Sequence, residues 1–219
     1  MRVAVHARRP WLQLFAGMLI IAQLLICTRL IVATEKTMLF LLWNLMLALI
    51  PLAISSLMLH MPPSNIRRMA GVVWLLFFPN APYLLTDFIH LSYGNLRHFW
   101  LDALTITWFA VTGLLAALVS LNDIARLMES RLSKKGSSAV IAGICLLTGF
   151  GIYLGRYLRF NSWDVVTEPL SLLSEISHRF IDPLHHPRTW MVTLIFGALL
   201  FFLLKGIRLL SAEMQKNYL

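Results

Sequence analysis

Charged residues are scarce in this chain: they make up 13% of its 219 residues, whereas a soluble globular domain has about 25%. Hydrophobic residues make up 58%, and the mean hydropathy is +0.74. This composition excludes an ordinary soluble domain and indicates a membrane protein. The net charge is +9, but the basic residues fall between apolar runs and form no basic face of the kind that nucleic acids require. We therefore expect no nucleic-acid partner.

Catalytic and ligand-binding motifs are also missing. The sequence contains no GxSxG, no HExxH and no Gly-rich phosphate loop. Its two cysteines, Cys27 and Cys145, lie inside apolar runs and outside any ligand spacing. The sequence thus predicts no metal site and no bound cofactor. It also lacks the internal repeats that are typical of many secondary transporters.

Long apolar runs are what the sequence does contain. A helix needs about 20 apolar residues to cross a bilayer, and six segments meet this requirement. They predict an all-α, polytopic bundle that forms one transmembrane domain over residues 1–219, with spans at 11–32, 38–59, 69–91, 96–121, 138–158 and 189–204. The first run is longer than the apolar core of a signal peptide, so we interpret it as a retained helix. The basic connector 122–136 is predicted to be partly helical.

Lysine and arginine predict how the bundle is oriented, because they are enriched in cytoplasmic loops. If the N-terminus is cytoplasmic, twelve of the 19 basic residues lie inside and seven outside, whereas three of the ten acidic residues lie inside and seven outside. This asymmetry predicts that both termini face the cytoplasm. We expect the lipid bilayer to be the main environment of the bundle.

The third span contains the stretch FPNAPYLLTDFIHL, from Phe78 to Leu91. Pro79 and Pro82 each remove a backbone donor and crowd the carbonyl four residues earlier, so they predict a broken helix. Such a break is tolerated where it is packed in protein or lines a wet cavity. Two interpretations stay open: a kink used only for packing, and a break that opens a polar pocket near Asn80.

Ionisable residues come directly after this break. On an α-helix, Tyr83, Asp87 and His90 would share one face. The fourth span begins with a second such pair, His98 and Asp102, four residues apart. A charged residue within a span needs a partner and suggests a functional site. We take Asp87, His90 and Asp102 as catalytic candidates and Asn80 and Tyr83 as binding candidates.

A second motif, GRYLRFNSWD from Gly155 to Asp164, ends the fifth span. Arg156 and Arg159 are three residues apart and are expected to point the same way, either toward lipid phosphates or toward an anionic partner. We predict at least one contact between these guanidiniums and Asp87 or Asp102, because unpaired charge at membrane depth is costly. Asn161 and Asp164 resemble a capping box; Asn161 is a further binding candidate and Asp164 a further catalytic one.

The segment after this motif predicts an amphipathic helix that lies at the membrane interface before the last span. Pro169 suits its first turn. The apolar residues Leu173, Ile176 and Phe180 recur at helical spacing, and Glu175 and Arg179 form an i, i+4 pair.

The two motifs together resemble the bacterial multi-pass membrane family called domain of unknown function 1361. The resemblance extends from about the second span to the sixth. It implies a multi-pass protein of the bacterial plasma (inner) membrane, and it implies no particular activity.

Three functions therefore remain in competition. The first is a membrane partner or assembly factor, or a protein that handles an anionic lipid-like ligand, through the polar outer cluster. The second is an intramembrane enzyme on a lipid-linked substrate, with Asp87 or His90 as general base and the two arginines as anion holders. The third is a small transporter that passes protons or a solute along the Asp/His pairs.

Overall fold

The computed structural model describes residues 9–32, 38–93 and 96–217. These residues form helices and no strand. The α-helices are α1 Arg9–Val32, α2 Phe40–Met58, α3 Asn65–Phe77, α4 Asn80–Tyr83, α5 Phe99–Glu129, α6 Lys134–Tyr157, α7 Asp164–Thr167, α8 Pro169–Ile181 and α9 Pro187–Asn217. Three 3₁₀ segments complete them: Leu84–Tyr93, Leu96–His98 and Pro183–His185.

Six helical segments are long and apolar enough to cross a membrane, which confirms the predicted polytopic bundle. Helices suit lipid because every backbone donor finds an acceptor within the segment. The predicted boundaries are too short for α5 and α9, which have 31 residues each and extend about 46 Å. The basic connector is helical over most of its length, and only residues 130–133 separate α5 from α6. The basic residues of this connector allow α5 and α6 to extend beyond the hydrocarbon core of the membrane.

Helix α5 is the centre of the bundle. In its most apolar stretch 61% of the residues are buried, against 28–39% in the other five spans. Small residues make this possible, since they let neighbouring backbones approach closely. A Cβ atom on Gly113 would lie 2.5 Å from the Ala81 carbonyl oxygen, so α4 packs directly on the α5 backbone. Helices α1, α2 and the broken third span surround α5.

The third span breaks at the two prolines, as predicted. Helix α3 ends at Phe77, and the single turn α4 comes next. Because Pro82 has no N–H, the Phe78 carbonyl accepts from Ala81 instead, at 3.2 Å. The Asn80 side chain donates to the Phe77 carbonyl at 2.9 Å and satisfies the end of α3.

The segment after the break is a 3₁₀ helix, Leu84–Tyr93, and not the predicted α-helix. With three residues per turn, positions i and i+3 are aligned. Asp87 and His90 therefore share a row, whereas Tyr83 lies in α4 and off that row. The predicted common α-helical face of all three residues is wrong.

Helices α6 and α9 pack extensively against each other and form a second unit of the bundle. It meets the first unit at the break: a Cβ atom on Gly151 would lie 2.7 Å from the Pro79 ring, so only glycine allows this approach. The Tyr83 ring packs against Gly155 in the same way. We name this end, where α6 ends and α9 begins, the cavity end of the bundle.

Candidate functional site

Asp87 is the buried centre of a polar cluster at the cavity end. Its side chain is fully shielded from solvent. The Arg156 guanidinium of α6 forms an ion pair with one carboxylate oxygen. The Asn44 amide of α2 donates to the other oxygen at 3.2 Å. The predicted contact between the two sequence motifs is therefore confirmed, and it joins three different helical segments.

Arg156 is held in one orientation. Its Nε donates to the Thr86 hydroxyl at 2.7 Å, and that hydroxyl donates to the Tyr83 carbonyl at 2.7 Å. The guanidinium carbon lies 4.3 Å from the centre of the Tyr83 ring, a cation–π distance. Tyr83 thus reaches the cluster through Arg156. With Asp87 ionised, the positive charge of Arg156 is neutralised inside the protein.

His90 is the outer member of the cluster. Its Nε2 lies 3.9 Å from an Asp87 oxygen, and its ring packs at 4.5 Å from the Phe40 ring of α2. His90 therefore lies beside the Asp87–Arg156 ion pair. The 3.9 Å separation is longer than a hydrogen bond.

Asp102 is neutralised elsewhere. Its carboxylate forms a buried ion pair with Arg29 of α1, with a second contact at 3.4 Å from the Arg29 Nη2. The sequence does single out Arg29, because it is the one charged residue within the first apolar run. The orientation rule treats Arg29 only as a loop charge, and helical spacing favours His98 as the neighbour of Asp102. The contact connects α1 to the central helix α5.

Asp164 caps a backbone turn. Its carboxylate accepts from the Asn161 N–H at 2.6 Å, from the Asn161 amide at 3.3 Å and from the Thr167 hydroxyl at 3.0 Å. The Asp164 half of the predicted capping box is confirmed, but Asn161 is not the N-cap: the N-cap residue is Trp163, without a side-chain cap bond. The turn leads into the short helix α7.

Arg159 does not continue the helix of Arg156. Helix α6 ends at Tyr157, and Arg159 has a φ of 63°, so the helical spacing on which we based the expectation for the two arginines is absent. The cause is local, because the Phe160 N–H turns back to the Leu154 carbonyl at 3.2 Å. Arg159 is exposed.

A cavity of about 620 Å³ lies beside the proline break. Its walls come from α2, from the broken third span, from α6, from the 160–165 segment, and from α8 and α9. Most lining side chains are apolar, as is usual for small-molecule sites of about 300–1,000 Å³. Trp43, Leu147 and Leu194 belong to the wall and are 54%, 56% and 59% exposed. The cavity is partly open and not fully enclosed.

The polar side chains of the cavity wall are uncharged. They are Asn44, Asn80, Tyr83, Asn161, Ser162 and Thr193. The Asn80 amide also donates to the Ser162 hydroxyl at 2.9 Å, which ties the break to the turn after α6. The predicted binding residues Asn80, Tyr83 and Asn161 are thus brought to one cavity, and Arg156 lies directly behind Tyr83.

Helix α8 closes part of this cavity. Leu172, Ile176 and Phe180 line it, whereas Leu173, predicted in the same stripe, is 59% exposed. The predicted pair of Glu175 and Arg179 is present. Arg179 is buried and lies 5.6 Å from the centre of the Tyr153 ring, so it fastens α8 to α6.

An exposed pair lies in the connection from α8 to α9. The His185 Nδ1 donates to an Asp182 carboxylate oxygen at 2.7 Å, and this hydrogen bond raises the pKa of the His185 imidazole. The same bond lowers the pKa of the Asp182 carboxyl. The stability that this Asp182–His185 pair contributes is therefore lost as pH rises through the His185 pKa or falls through the Asp182 pKa.

The catalytic candidates do not assemble into one active site. Asp87 and His90 share a cluster, Asp102 is bound to Arg29, and Asp164 caps a turn. Within residues 9–32, 38–93 and 96–217, no group of three or more His, Cys, Asp or Glu side chains is placed to hold a metal ion.

The fold and the cavity define a class: a multi-pass helical membrane protein with a polar-edged apolar cavity beside a broken span. A family model described as "Protein of unknown function (DUF1361)" matches residues 43–203, and the chain belongs to this family. The match begins in α2 and ends in α9, so it includes the whole cavity wall. No curated protein and no solved structure matches the chain.

Proposed function

We propose that this protein binds a lipid-like amphiphile in the cavity, with the hydrocarbon part against the apolar wall. The observation that carries this proposal is the partly open apolar space of about 620 Å³ whose lining includes the exposed apolar residues Trp43, Leu147 and Leu194. A molecule dissolved in the bilayer would reach such a space sideways, without passing through water. Burial of hydrocarbon among protein side chains rather than lipid adds packing contacts.

The polar part of the ligand is expected at the Asn80 side of the cavity. Asn80, Ser162 and Asn161 supply donors and acceptors there, and a few placed polar groups are what orient a ligand in an otherwise apolar pocket. This arrangement favours an amphiphile over a pure hydrocarbon.

The cavity end is expected to face outward from the cytoplasm of the bacterial cell. The opposite end carries most of the basic residues, which are retained on the cytoplasmic side. The ligand would then come from the outer leaflet of the plasma membrane. In this position α8 would lie at the membrane interface.

A binding function explains the contacts of the acidic residues better than a catalytic function does. A general base must reach the proton that it removes. The carboxylates of Asp87, Asp102 and Asp164 are instead engaged by Arg156, Arg29 and the turn at Asn161. We therefore assign the Asp87–Arg156 pair to holding the cavity walls together and the Asp102–Arg29 pair to fastening α1 to α5, in line with a role as a membrane partner or carrier of lipid-like molecules.

Two neighbouring residues of α9 provide a matched test. Leu194 lines the cavity and is 59% exposed, whereas Ile195 does not line it and is 57% exposed. We expect Leu194→Trp to fill the cavity and to reduce the lipid that stays bound after detergent extraction, measured by native mass spectrometry. Ile195→Trp should leave bound lipid unchanged. Equal lipid in both variants and the parent would refute the proposal.

A further inference from the structure

The turn after α6 places an arginine where the backbone favours glycine. The φ of Arg159 is 63°, in the left-handed region that side chains with a Cβ atom rarely adopt. Glycine or asparagine would occupy this position with less strain. Strained residues persist where the surrounding structure enforces them, and they cluster at ligand sites. The turn alone therefore gives no reason for an arginine side chain at this position.

Arg159 adjoins the wall of the cavity in the chain. The next two residues, Phe160 and Asn161, both line it. The charge of Arg159 also acts on Tyr83, another residue of the wall. Arg159 itself is exposed, and it forms no hydrogen bond or ion pair with any residue that the structure describes.

Arg159 differs in this respect from other arginines at the cavity end. Arg156 is neutralised by Asp87, and Arg179 by Glu175. Arg188 lies over the Tyr157 ring at 5.5 Å and is not part of the turn at residues 160–162 that lines the cavity. Arg159 therefore carries a positive charge that no described carboxylate neutralises, next to cavity walls whose polar side chains are uncharged.

We infer that Arg159 is a specificity-determining residue that binds a phosphate group on the ligand of this cavity. The inference rests on the proposed binding of an amphiphile. A guanidinium presents paired N–H donors that match two phosphate oxygens. The hydrocarbon part would lie among the apolar walls while the phosphate stays at the exposed Arg159, where its desolvation cost is small.

Two probes that differ only in the phosphate test this inference: 1-monooleoylglycerol and its 3-phosphate. Their affinities for the purified protein in uncharged detergent are measured by native mass spectrometry titration. We expect the parent to bind the phosphorylated probe about tenfold more tightly, the size of one charge-assisted hydrogen bond. Arg159→Gly should bind both probes equally. Arg159→Lys should keep part of the preference, since it keeps the charge but not the paired donors.

Two controls separate this effect from folding and from general charge. Arg159→Gly relieves the left-handed strain, so its melting temperature without probe should not be lower than that of the parent. Arg188→Gln removes the same charge from the same end, and the preference should stay within about twofold of the parent, because Arg188 is not part of the turn at residues 160–162 that lines the cavity and exposed charges are screened by salt.

Loss of the phosphate preference in Arg159→Gly alone supports the inference, and its survival there overturns it. Equal binding of both probes to the parent overturns the inference but leaves the proposed cavity function intact. Absence of binding for both probes overturns the two together. If millimolar inorganic phosphate displaces only the phosphorylated probe, a free phosphate can occupy the same site; if it does not, a lipid headgroup is the source.

Discussion

At the level of single residues, two buried carboxylates are each neutralised by one arginine from another helix. Asp87 pairs with Arg156, and Asp102 pairs with Arg29. Removing one partner of a buried pair leaves an uncompensated charge, which costs about 3–5 kcal/mol. We therefore expect Asp87→Asn to lower the melting temperature in detergent markedly.

The double variant tests whether Arg156 is the partner that matters. Adding Arg156→Gln to Asp87→Asn removes the stranded charge and should recover at least about 1 kcal/mol of that loss. Asp164→Ala is the control, because it removes a partly exposed cap, which costs about 1 kcal/mol. Strictly additive effects of Asp87→Asn and Arg156→Gln would refute this assignment.

The sequence predicts one of these pairs and not the other. Asp87 and Arg156 lie in two motifs that end at the same side of the membrane, so the cost of unpaired charge brings them together. Arg29 and Asp102 obey the same physics. Their pairing depends on which helices are neighbours around α5. No residue pattern in the chain predicts this arrangement of helices.

At the level of elements, the proline break in the third span positions the cavity. Asn80 in α4 donates to Ser162 only because α3 stops at Phe77. Each alanine in place of a proline favours a continuous helix by about 3 kcal/mol. A continuous helix would move Asn80 away from Ser162.

Disulfide formation reports this movement. In a background without Cys27 and Cys145, the pair Asn80→Cys and Ser162→Cys should form a disulfide on oxidation, since the native side chains are in contact. Adding Pro79→Ala and Pro82→Ala should reduce cross-linking several-fold. Cross-linking that is independent of the prolines would show that they do not set the position of α4.

Local patterns predict the existence of this break but not the geometry of the segment after it. Pro79 and Pro82 predict where the backbone hydrogen bonds of an α-helix must be interrupted. The change to a 3₁₀ helix from Leu84 depends on packing against α5, which a single span cannot reveal. The same holds for Arg159, whose left-handed turn interrupts an apparently helical spacing with Arg156.

At the level of the whole molecule, the distribution of charge predicts one orientation. Ser174 in α8 is exposed, Gly136 in α6 is half-buried, and the two residues lie at opposite ends of the bundle. A cysteine at Ser174 should react with a membrane-impermeant thiol reagent added to intact cells, and a cysteine at Gly136 should react only after lysis. The reverse labelling pattern would place the cavity end in the cytoplasm.

The cavity between the α2–α4 side and the α6–α9 side is proposed to hold a lipid-like molecule, and direct observation of that molecule is the strongest test. The measurement is a cryo-electron microscopy map of the protein extracted from its native membrane and held in a nanodisc. We predict elongated density that begins near Asn80 and Ser162 and passes between Leu76 and Leu194 toward the surrounding lipid. A cavity closed by direct packing of α2 against α6, with no room for such density, would contradict the account.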